Sequence, residues 1–390
     1  MDLQSIQDLV RELNLDGWLF FDHHERDPLA YRVLGFTPPR HVTRRWYYLI
    51  PASGEPRGLV HRIESTMLDA LPGKKAPYAS WQTLHSALQD LLQGCRRVAM
   101  QYSPGCAVPY VAMVDAGTVE QVRSLGVEVI SSADLIQFFD SRWTAAQLEM
   151  HLEAGRIVDE VRRQAFAHIG NRLRSGAGIT EFDVKQFIRE GFDRGGVTAD
   201  HGPIVAVNDN ASNPHYEPFA GSCREVNRGD LVLIDLWAKL NRPGAVYYDI
   251  TWTGFCGPEV PAEVLNVFEV VRGARDSAIR LVQERTAVGQ PLRGFEVDDA
   301  ARGYVRERGF AEYFVHRTGH SIGPDVHGTG ANMDNLETHD ERRVIAGTCF
   351  SIEPGVYLPK FGIRSEVNMY VGEREAIVTG EVQQAPVLIA

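Results

Sequence analysis

The strongest constraint on the fold of this chain is a pair of β-rich segments joined by a turn. The segments, Leu231–Leu240 and Val246–Phe255, are dense in aliphatic, aromatic and β-branched residues. Between them lie residues 241–244, with the sequence NRPG, and a Pro-Gly pair is a strong turn signal. The two segments are therefore predicted to form a β-hairpin with a rather long loop.

Helical patterns flank this hairpin on both sides. Helices are predicted for residues 145–172, 181–192, 261–284 and 292–308, and short strands with glycine-rich turns follow residue 310. Helices, a hairpin, helices and then strands are typical of an α+β domain and not of a doubly wound sheet. Residues 1 to about 140 instead alternate strand-like and helix-like pieces, as in a mixed α/β domain.

The length also favours two domains, because 390 residues exceed what one ordinary core supports. We place the boundary at residues 141–144, where Thr144 is predicted to cap a long helix. The predicted domains are an N-terminal α/β domain over residues 1–141 and an α+β domain over residues 142–390.

Composition and charge exclude several classes of protein. The net charge of −11 argues against a nucleic-acid binder, which needs a concentrated basic face. No apolar run approaches the roughly 18 residues of a membrane span. The N-terminal segment reads as an amphipathic helix and not as an export signal. Five scattered cysteines without a Cys-x-x-Cys pair favour a reducing compartment, so a cytoplasmic location is expected.

Four carboxylates stand in apolar, β-rich surroundings. Asp235 and Asp249 lie on opposite arms of the predicted hairpin, and Glu353 and Glu366 lie in two later β-type runs. Burial without a partner disfavours the charged form of a carboxylate, so each position is costly unless a cation is present. The alternative is that the aspartates point outward on the polar face of a half-exposed strand.

A histidine cluster lies between these pairs of carboxylates. His316, His320 and His327 fall within the segment VHRTGHSIGPDVHG, and neutral imidazole is a common metal ligand and proton carrier. Four carboxylates with one imidazole form an oxygen-rich site that suits Mn²⁺, Co²⁺, Fe²⁺ or Zn²⁺. Because carboxylates can bridge, such a set can hold two ions about 3.5–4 Å apart. A histidine-rich polar loop without a metal is the alternative.

The local sequences around these side chains resemble the pita-bread metallopeptidases, which include methionine aminopeptidase, Xaa-Pro aminopeptidase and Xaa-Pro dipeptidase (prolidase). The matching stretches are GDLVLID, YYDIT, TGHSIGPDVH, SIEPGVY and GIRSE. The similarity runs from about Trp143 to the C-terminus and is closest to the proline-specific enzymes. It implies a curved antiparallel sheet covered by helices, preceded by a creatinase-like α/β domain.

The resemblance implies roles for the five predicted ligands. Asp235 would bind one ion, Asp249 and Glu366 would bridge both, and His320 and Glu353 would bind the other. The implied reaction is hydrolysis of the Xaa-Pro bond of short peptides by a hydroxide that bridges two ions, with Mn²⁺ as the first candidate and Co²⁺, Zn²⁺ or Fe²⁺ as others. Glu353 would also carry a proton to the proline nitrogen. A homodimer is implied as well, with short proline-containing peptides as partners and neither nucleic acid nor membrane.

Further residues match the family by motif. His215 and His327 resemble catalytic histidines that also contact substrate. His316, Tyr357 and Arg364 resemble residues of the substrate pocket. For each of these side chains, an ordinary polar role is the alternative.

The sequence also departs from the family pattern. Trp237 stands where a glycine is common and Trp252 where an arginine is common, so both indoles are expected to reshape the substrate pocket. Ser321 replaces a common glycine, Val367 replaces an acid, and the aspartates lie 14 positions apart. The departures leave all five ligands in place but put substrate choice in doubt.

Three alternatives remain open. The segment GHSIG, residues 319–323, fits the Gly-x-Ser-x-Gly elbow of serine hydrolases, which would make Ser321 a nucleophile. A metal-dependent enzyme that acts on a non-peptide amide, or as a lyase, would keep the ligands and change the reaction. A non-catalytic binding protein would be expected to lose ligands, and none is lost.

Overall fold

The computed structural model describes residues 1–37 and 41–389. The chain forms two compact units, Met1–Asp140 and Ser141–Ala390. Within the described residues, none of the helices combines the length and the hydropathy that a bilayer crossing requires.

The first unit is a six-stranded mixed sheet with helices on both faces. Its strands are β1 (Gly17–Asp22), β2 (Trp46–Pro51), β3 (Arg57–His61), β4 (Lys74–Tyr78), β5 (Arg97–Met100) and β6 (Glu128–Ser131). Its helices are α1 (Leu3–Glu12), α2 (Pro28–Leu34), α3 (Trp81–Leu91), α4 (Ala116–Ser124) and α5 (Ala133–Ile136). The strand order is β4-β3-β2-β1-β5-β6, and separate apolar cores cover the two faces. The mixed α/β prediction for this region is confirmed.

The second unit contains four long helices. They are α6 (Ala145–Ser175), α7 (Glu181–Gly195), α8 (Ala262–Val288) and α9 (Gly294–Glu307). Thr144 caps α6 as predicted. Its side chain accepts a hydrogen bond from the Gln147 backbone N–H, and the Gln147 side chain accepts one from the Thr144 backbone N–H.

The strands of this unit form two main sheets and a hairpin. They are β7 (Val197–Thr198), β8 (Ile204–Val207), β9 (Leu231–Leu240), β10 (Tyr248–Phe255), β11 (Ser321–Ile322), β12 (Cys349–Ile352), β13 (Gly355–Leu358), β14 (Phe361–Arg364), β15 (Val367–Val371), β16 (Ala376–Thr379) and β17 (Val387–Leu388). One sheet has the order β17-β10-β9-β7 with β8 also on β9, and the other has the order β11-β12-β15-β16. All pairs are antiparallel except β10 with β17.

Each main sheet packs on its own pair of helices. Helices α6 and α7 share a core with β8, β9 and β10, while α8 and α9 share another with β12 to β16. Each fully buried aliphatic side chain contributes roughly 1.5–3 kcal/mol of transfer free energy, so both sheet faces are strongly specified. The α+β fold class is confirmed, and the predicted hairpin is β9 and β10.

Candidate metal centre

The hairpin β9–β10 places both predicted aspartates on one face. Asp235 pairs across the ladder with Thr251, and Asp249 pairs with Trp237. Side chains alternate between the two faces of a strand, so these four side chains share a face. Asp235 is 8% exposed and Asp249 is 4% exposed. Both aspartates are therefore buried, and the alternative that they point outward is wrong.

His320 reaches the same place from the segment before β11. Its Nε2 lies 3.5 Å from Asp249 Oδ2 and 3.5 Å from Glu353 Oε1, while its Nδ1 lies 3.1 Å from the Ser321 carbonyl oxygen. Burial holds the pKa of His320 well below its usual range, so the ring is neutral near pH 7. With Nδ1–H donating to the carbonyl, the lone pair of Nε2 faces the carboxylates, as a metal ligand requires.

A glycine permits this approach of His320. A Cβ placed on Gly319 would lie 1.9 Å from the Ser351 carbonyl oxygen. The neighbouring backbones are joined there, because the Ser351 N–H donates to the His320 carbonyl at 2.9 Å and the Ser351 hydroxyl accepts from the His320 N–H at 2.9 Å. A glycine at position 319 is thus required for His320 to reach the carboxylates.

Glu366 completes a three-residue group. Its backbone N–H donates to the Thr251 carbonyl at 3.1 Å, and the Thr251 hydroxyl donates to Glu366 Oε2 at 2.7 Å. Ligand atoms of Asp249, His320 and Glu366 all lie within 4.8 Å of one another. The structure thus brings together three of the five predicted ligands, with Glu353 next to His320.

Asp235 is held in place by an arginine. Arg364 donates from Nη2 to Asp235 Oδ2 at 2.5 Å, from Nε to the Thr251 hydroxyl at 3.0 Å and from Nη1 to the Tyr357 hydroxyl at 3.0 Å. The Tyr357 hydroxyl also lies 2.6 Å from Nε2 of His316. Arg364, Tyr357 and His316 therefore form a hydrogen-bonded chain that ends on a predicted ligand. Their predicted contact with substrate stays a prediction.

The electrostatics of the cluster fit a cation. Burial raises the pKa of Asp235 and of Glu353, the latter to about 7, and it raises the pKa of Asp249 and Glu366 well above their usual range. Repulsion from neighbouring carboxylates adds to the effect for Asp249, Glu353 and Glu366, whereas Arg364 opposes it for Asp235. In the described part of the chain, Oδ1 of Asp235 and Oδ1 of Asp249 are buried without a hydrogen-bond partner. An oxygen-rich group of this kind suits divalent cations, whose charge would offset the cost of burial.

Two further predicted histidines lie beside the ligands. The His327 ring centroid is 4.3 Å from that of His320, and burial lowers the pKa of His327 to about 4. His215 is exposed, and it is one of the groups that lower the pKa of Asp235, after Arg364 and Thr251. Both histidines are near the carboxylates from the side that solvent reaches.

Sequence reasoning missed the residue that holds the His215 loop. Glu181, at the start of α7, is fully buried and accepts hydrogen bonds from the backbone of Val207 and Arg224 and from the side chains of Asn210 and Tyr216. These donors come from both ends of the segment that contains His215. A glutamate next to a Thr180–Asp183 capping box is an ordinary helix start, so no local pattern distinguishes this role of Glu181.

The two unusual tryptophans lie on opposite faces of the hairpin. Trp237 is on the face of Asp235 and Asp249, whereas Trp252 pairs with Ile234 and points to the other face. There the guanidinium of Arg162 lies 3.5 Å from the Trp252 ring centroid. The expectation that both indoles reshape the substrate pocket is therefore wrong for Trp252, because alternation along β10 turns it toward α6.

The serine-elbow alternative does not match the geometry. Ser321 begins the two-residue strand β11, and turns instead of a helix follow it. Its hydroxyl is buried and accepts from the Gly330 N–H at 3.0 Å. Val367, the other departure, is buried on β15 opposite Ile352 and belongs to the core of the second sheet.

Known proteins share this fold and sequence. The model of metallopeptidase family M24 matches residues 149–373. The chain is 27% identical over 330 residues to the PepE protein of Mycobacterium tuberculosis, which covers 84% of this chain and 81% of that protein. It is 28% identical over 236 residues to the Xaa-Pro dipeptidase of Pyrococcus furiosus, which covers 60% of this chain and 61% of that protein.

A solved structure agrees over the full length. The dipeptidase PepE of Mycobacterium ulcerans superposes with a TM-score of 0.73 at 24% identity, over 99% of this chain and 96% of that chain. The pita-bread architecture with an N-terminal α/β domain is thereby confirmed. The family match spans more than half of the chain and includes all five predicted ligands. The chain belongs to metallopeptidase family M24 and is a peptidase.

Proposed function

We infer that this peptidase is a two-metal enzyme that cleaves the bond before proline in short peptides. The observation that carries the metal assignment is the buried group of Asp249, His320 and Glu366, with ligand atoms within 4.8 Å of one another. Support for the substrate comes from the relatives, one of which is named an Xaa-Pro dipeptidase. A homodimer in the cytoplasm remains part of this proposal.

Five side chains would hold the ions: Asp235, Asp249, His320, Glu353 and Glu366. Mn²⁺ is the first candidate, and Co²⁺, Zn²⁺ and Fe²⁺ suit the same donors. When bound, two such ions supply an ionised water near neutral pH and polarise the carbonyl of the scissile bond.

The protein's own groups prepare the site. Arg364 fixes Asp235 in one orientation through the 2.5 Å contact, and the Thr251 hydroxyl does the same for Glu366 at 2.7 Å. Hydrogen bonds of this kind around ligands typically contribute 10–100-fold to metal affinity or activity. The Arg364 chain is therefore proposed to act mainly by positioning Asp235.

Glu353 and the outer histidines are proposed to handle protons and charge. Glu353 Oε1 lies 3.5 Å from His320 Nε2, within the ligand group, and a carboxylate in this position can accept and donate a proton. The proline nitrogen must gain a proton to leave as an amine, and Glu353 would deliver it. His215 and His327 would donate hydrogen bonds to the oxygen that becomes negative during attack.

The test is amino-acid release from Leu-Pro and from Leu-Pro-Ala, with protein stripped of metal and reloaded with Mn²⁺. Metal-dependent release from the dipeptide alone means a dipeptidase, and release of leucine from the tripeptide means an aminopeptidase. Silence on both substrates, with two bound ions confirmed by elemental analysis, would contradict the proposed substrate. A metal-dependent enzyme that hydrolyses a non-peptide amide would then become the leading alternative.

A further inference from the structure

We propose that Asp200, held by Trp237, selects peptides whose residue before proline has a cationic side chain. The inference rests on the proposed function, because it concerns the same site and the same bond. Neither residue belongs to the predicted ligand or catalytic set. Trp237 is the departure from the family pattern that lies on the ligand face of the hairpin.

Trp237 lies next to the proposed ligand Asp249 on the hairpin. It is the cross-strand partner of Asp249, so their side chains project from neighbouring backbone positions on one face. The indole is half-buried, and its Nε1–H donates to Asp200 Oδ1 at 3.3 Å. The indole packs in part against the apolar cluster that includes Tyr247 and Ile322, its remaining surface is partly exposed, and a carboxylate lies at its Nε1 edge.

The Asp200 carboxylate keeps an uncompensated negative charge. It is exposed, and among the residues that the structure describes it forms no ion pair with a lysine, arginine or histidine. Lys239, on the same face of β9, instead donates to the Pro324 carbonyl at 2.5 Å and lies 4.7 Å from the Tyr247 ring centroid. The other groups on the carboxylate are neutral: the His201 backbone N–H donates to Oδ1 at 3.0 Å, and Asp200 adds to the effect of burial in raising the pKa of Tyr247, through a hydrogen bond with the Tyr247 side chain.

Asp200 lies near the ligands by way of Trp237. The indole projects from the position opposite Asp249 on the ligand face of the hairpin and donates to the Asp200 carboxylate. The Asp200 carboxylate is therefore separated from the ligand face by the length of one indole side chain.

The arrangement matches one kind of substrate group. An indole face attracts an ammonium or guanidinium group, and a carboxylate at its edge adds a charged hydrogen bond. The α-amino group of a dipeptide is attached next to the scissile carbonyl, so it must stay near Asp249. The far edge of Trp237 is reached by the end of a long side chain, as in lysine or arginine. Asp200 and Trp237 are therefore assigned to recognition of the cationic side chain of the residue before proline.

The experiment compares kcat/KM for Lys-Pro and norleucine-Pro, which differ by the terminal ammonium group, in the Mn²⁺-loaded enzyme. We expect wild-type enzyme to prefer Lys-Pro by about 10-fold, the sum expected of a partly exposed ion pair and a cation–π contact. Asp200→Asn is expected to bring the ratio close to 1, and 0.5 M NaCl to lower it in the wild type because salt screens exposed charges. The matched control is Asp193→Asn, which removes an exposed acid of α7 and should preserve the preference.

The outcomes separate the inference from the proposed function. Cleavage of norleucine-Pro at the same efficiency as Lys-Pro, or equal losses on both substrates in Asp200→Asn, would overturn the inference and leave the Xaa-Pro peptidase intact. If the fully loaded enzyme cleaved neither of these dipeptides nor Leu-Pro-Ala, the proposed function itself would be removed. Trp237→Phe gives a second variant, since it keeps an aromatic face but loses the donor to Asp200, and a reduced preference is expected.

Discussion

The two faces of the hairpin β9–β10 are built from one stretch of sequence and have opposite chemistry. One face presents Asp235, Trp237 and Asp249 to the ligand cluster, while the other presents Ile234, Leu236, Ile250 and Trp252 to α6 and α7. Alternation with period two separates them completely. The apolar face supplies the stability that allows the polar face to hold unfavourably buried carboxylates. Function and stability should therefore respond to different substitutions in neighbouring residues.

Asp249→Asn should have the largest effect. The substitution keeps the shape of the side chain but removes a proposed bridging charge, so we expect a loss in kcat of roughly 10³-fold or more together with reduced metal occupancy. Unfolding of the metal-free variant should change little, because repulsion among buried carboxylates is also relieved. Activity assays and elemental analysis measure these effects. Wild-type-like turnover in this variant would end the assignment of Asp249 as a ligand.

Ile250→Ala, one residue along the same strand, should show the reverse. Ile250 is fully buried against the helices, and truncation of such a residue costs about 2–5 kcal/mol of unfolding free energy. The metal-loaded, folded fraction should keep a kcat within about twofold of wild type, since the ligand face is unchanged. Denaturant unfolding and active-site metal content test this pair of expectations. A variant that is fully stable but inactive would show that the two faces are not separate.

The pH dependence of the unfolding free energy should reflect the protonation of His151, a histidine of helix α6. His151 is fully buried on α6, with Nδ1 2.7 Å from the Tyr247 carbonyl oxygen and Nε2 2.7 Å from the Thr379 hydroxyl. Burial lowers its pKa from 6.5 to about 4. The unfolded state then binds the proton more tightly, so stability is lost as pH falls from 6.5 through 4, by up to about 3 kcal/mol.

The measurement is the unfolding free energy of metal-free wild type and His151→Asn between pH 7 and pH 4. The variant should be less stable at pH 7 and lose less on acidification. Parallel curves would mean that His151 contributes nothing to acid sensitivity. Because other buried histidines also titrate, the difference between the two proteins is the informative quantity.

Trp252→Phe should have the smallest effect. The indole nitrogen of Trp252 is buried without a hydrogen-bond partner among the described residues, and phenylalanine preserves a ring beneath Arg162. We expect a stability change of at most about 1.5 kcal/mol and unchanged discrimination between substrates. Thermal unfolding and the Lys-Pro to norleucine-Pro ratio measure both. A change in that ratio would show that Trp252 does influence substrate choice.

The long helices, the hairpin and the types of the proposed ligands in the second unit could be predicted from sequence, whereas the short strands β7 and β8 are not among the predicted elements. Apolar periodicity located α6 to α9 and the hairpin, and acids within apolar strands marked Asp235, Asp249, Glu353 and Glu366. The direction of each indole could also have been read from the hairpin register, since Trp252 lies an odd number of positions from Asp249. What periodicity cannot supply is the position of loops. Asp200 and Glu181 acquire their partners only through tertiary packing, and nothing local in the sequence distinguishes them from ordinary exposed or capping acids.

The origin of the five proposed ligands in separate stretches of chain has a consequence for biogenesis. Asp235 and Asp249 come from one hairpin, whereas His320, Glu353 and Glu366 come from segments assembled on the other sheet. The unfolded polypeptide cannot present this group to an ion, so metal acquisition must follow assembly of both sheets. Bound metal then stabilises only the finished fold, by RT ln(1 + [L]/Kd). Supply of the ion would thereby govern how long newly made molecules survive proteolytic turnover, apart from governing their activity.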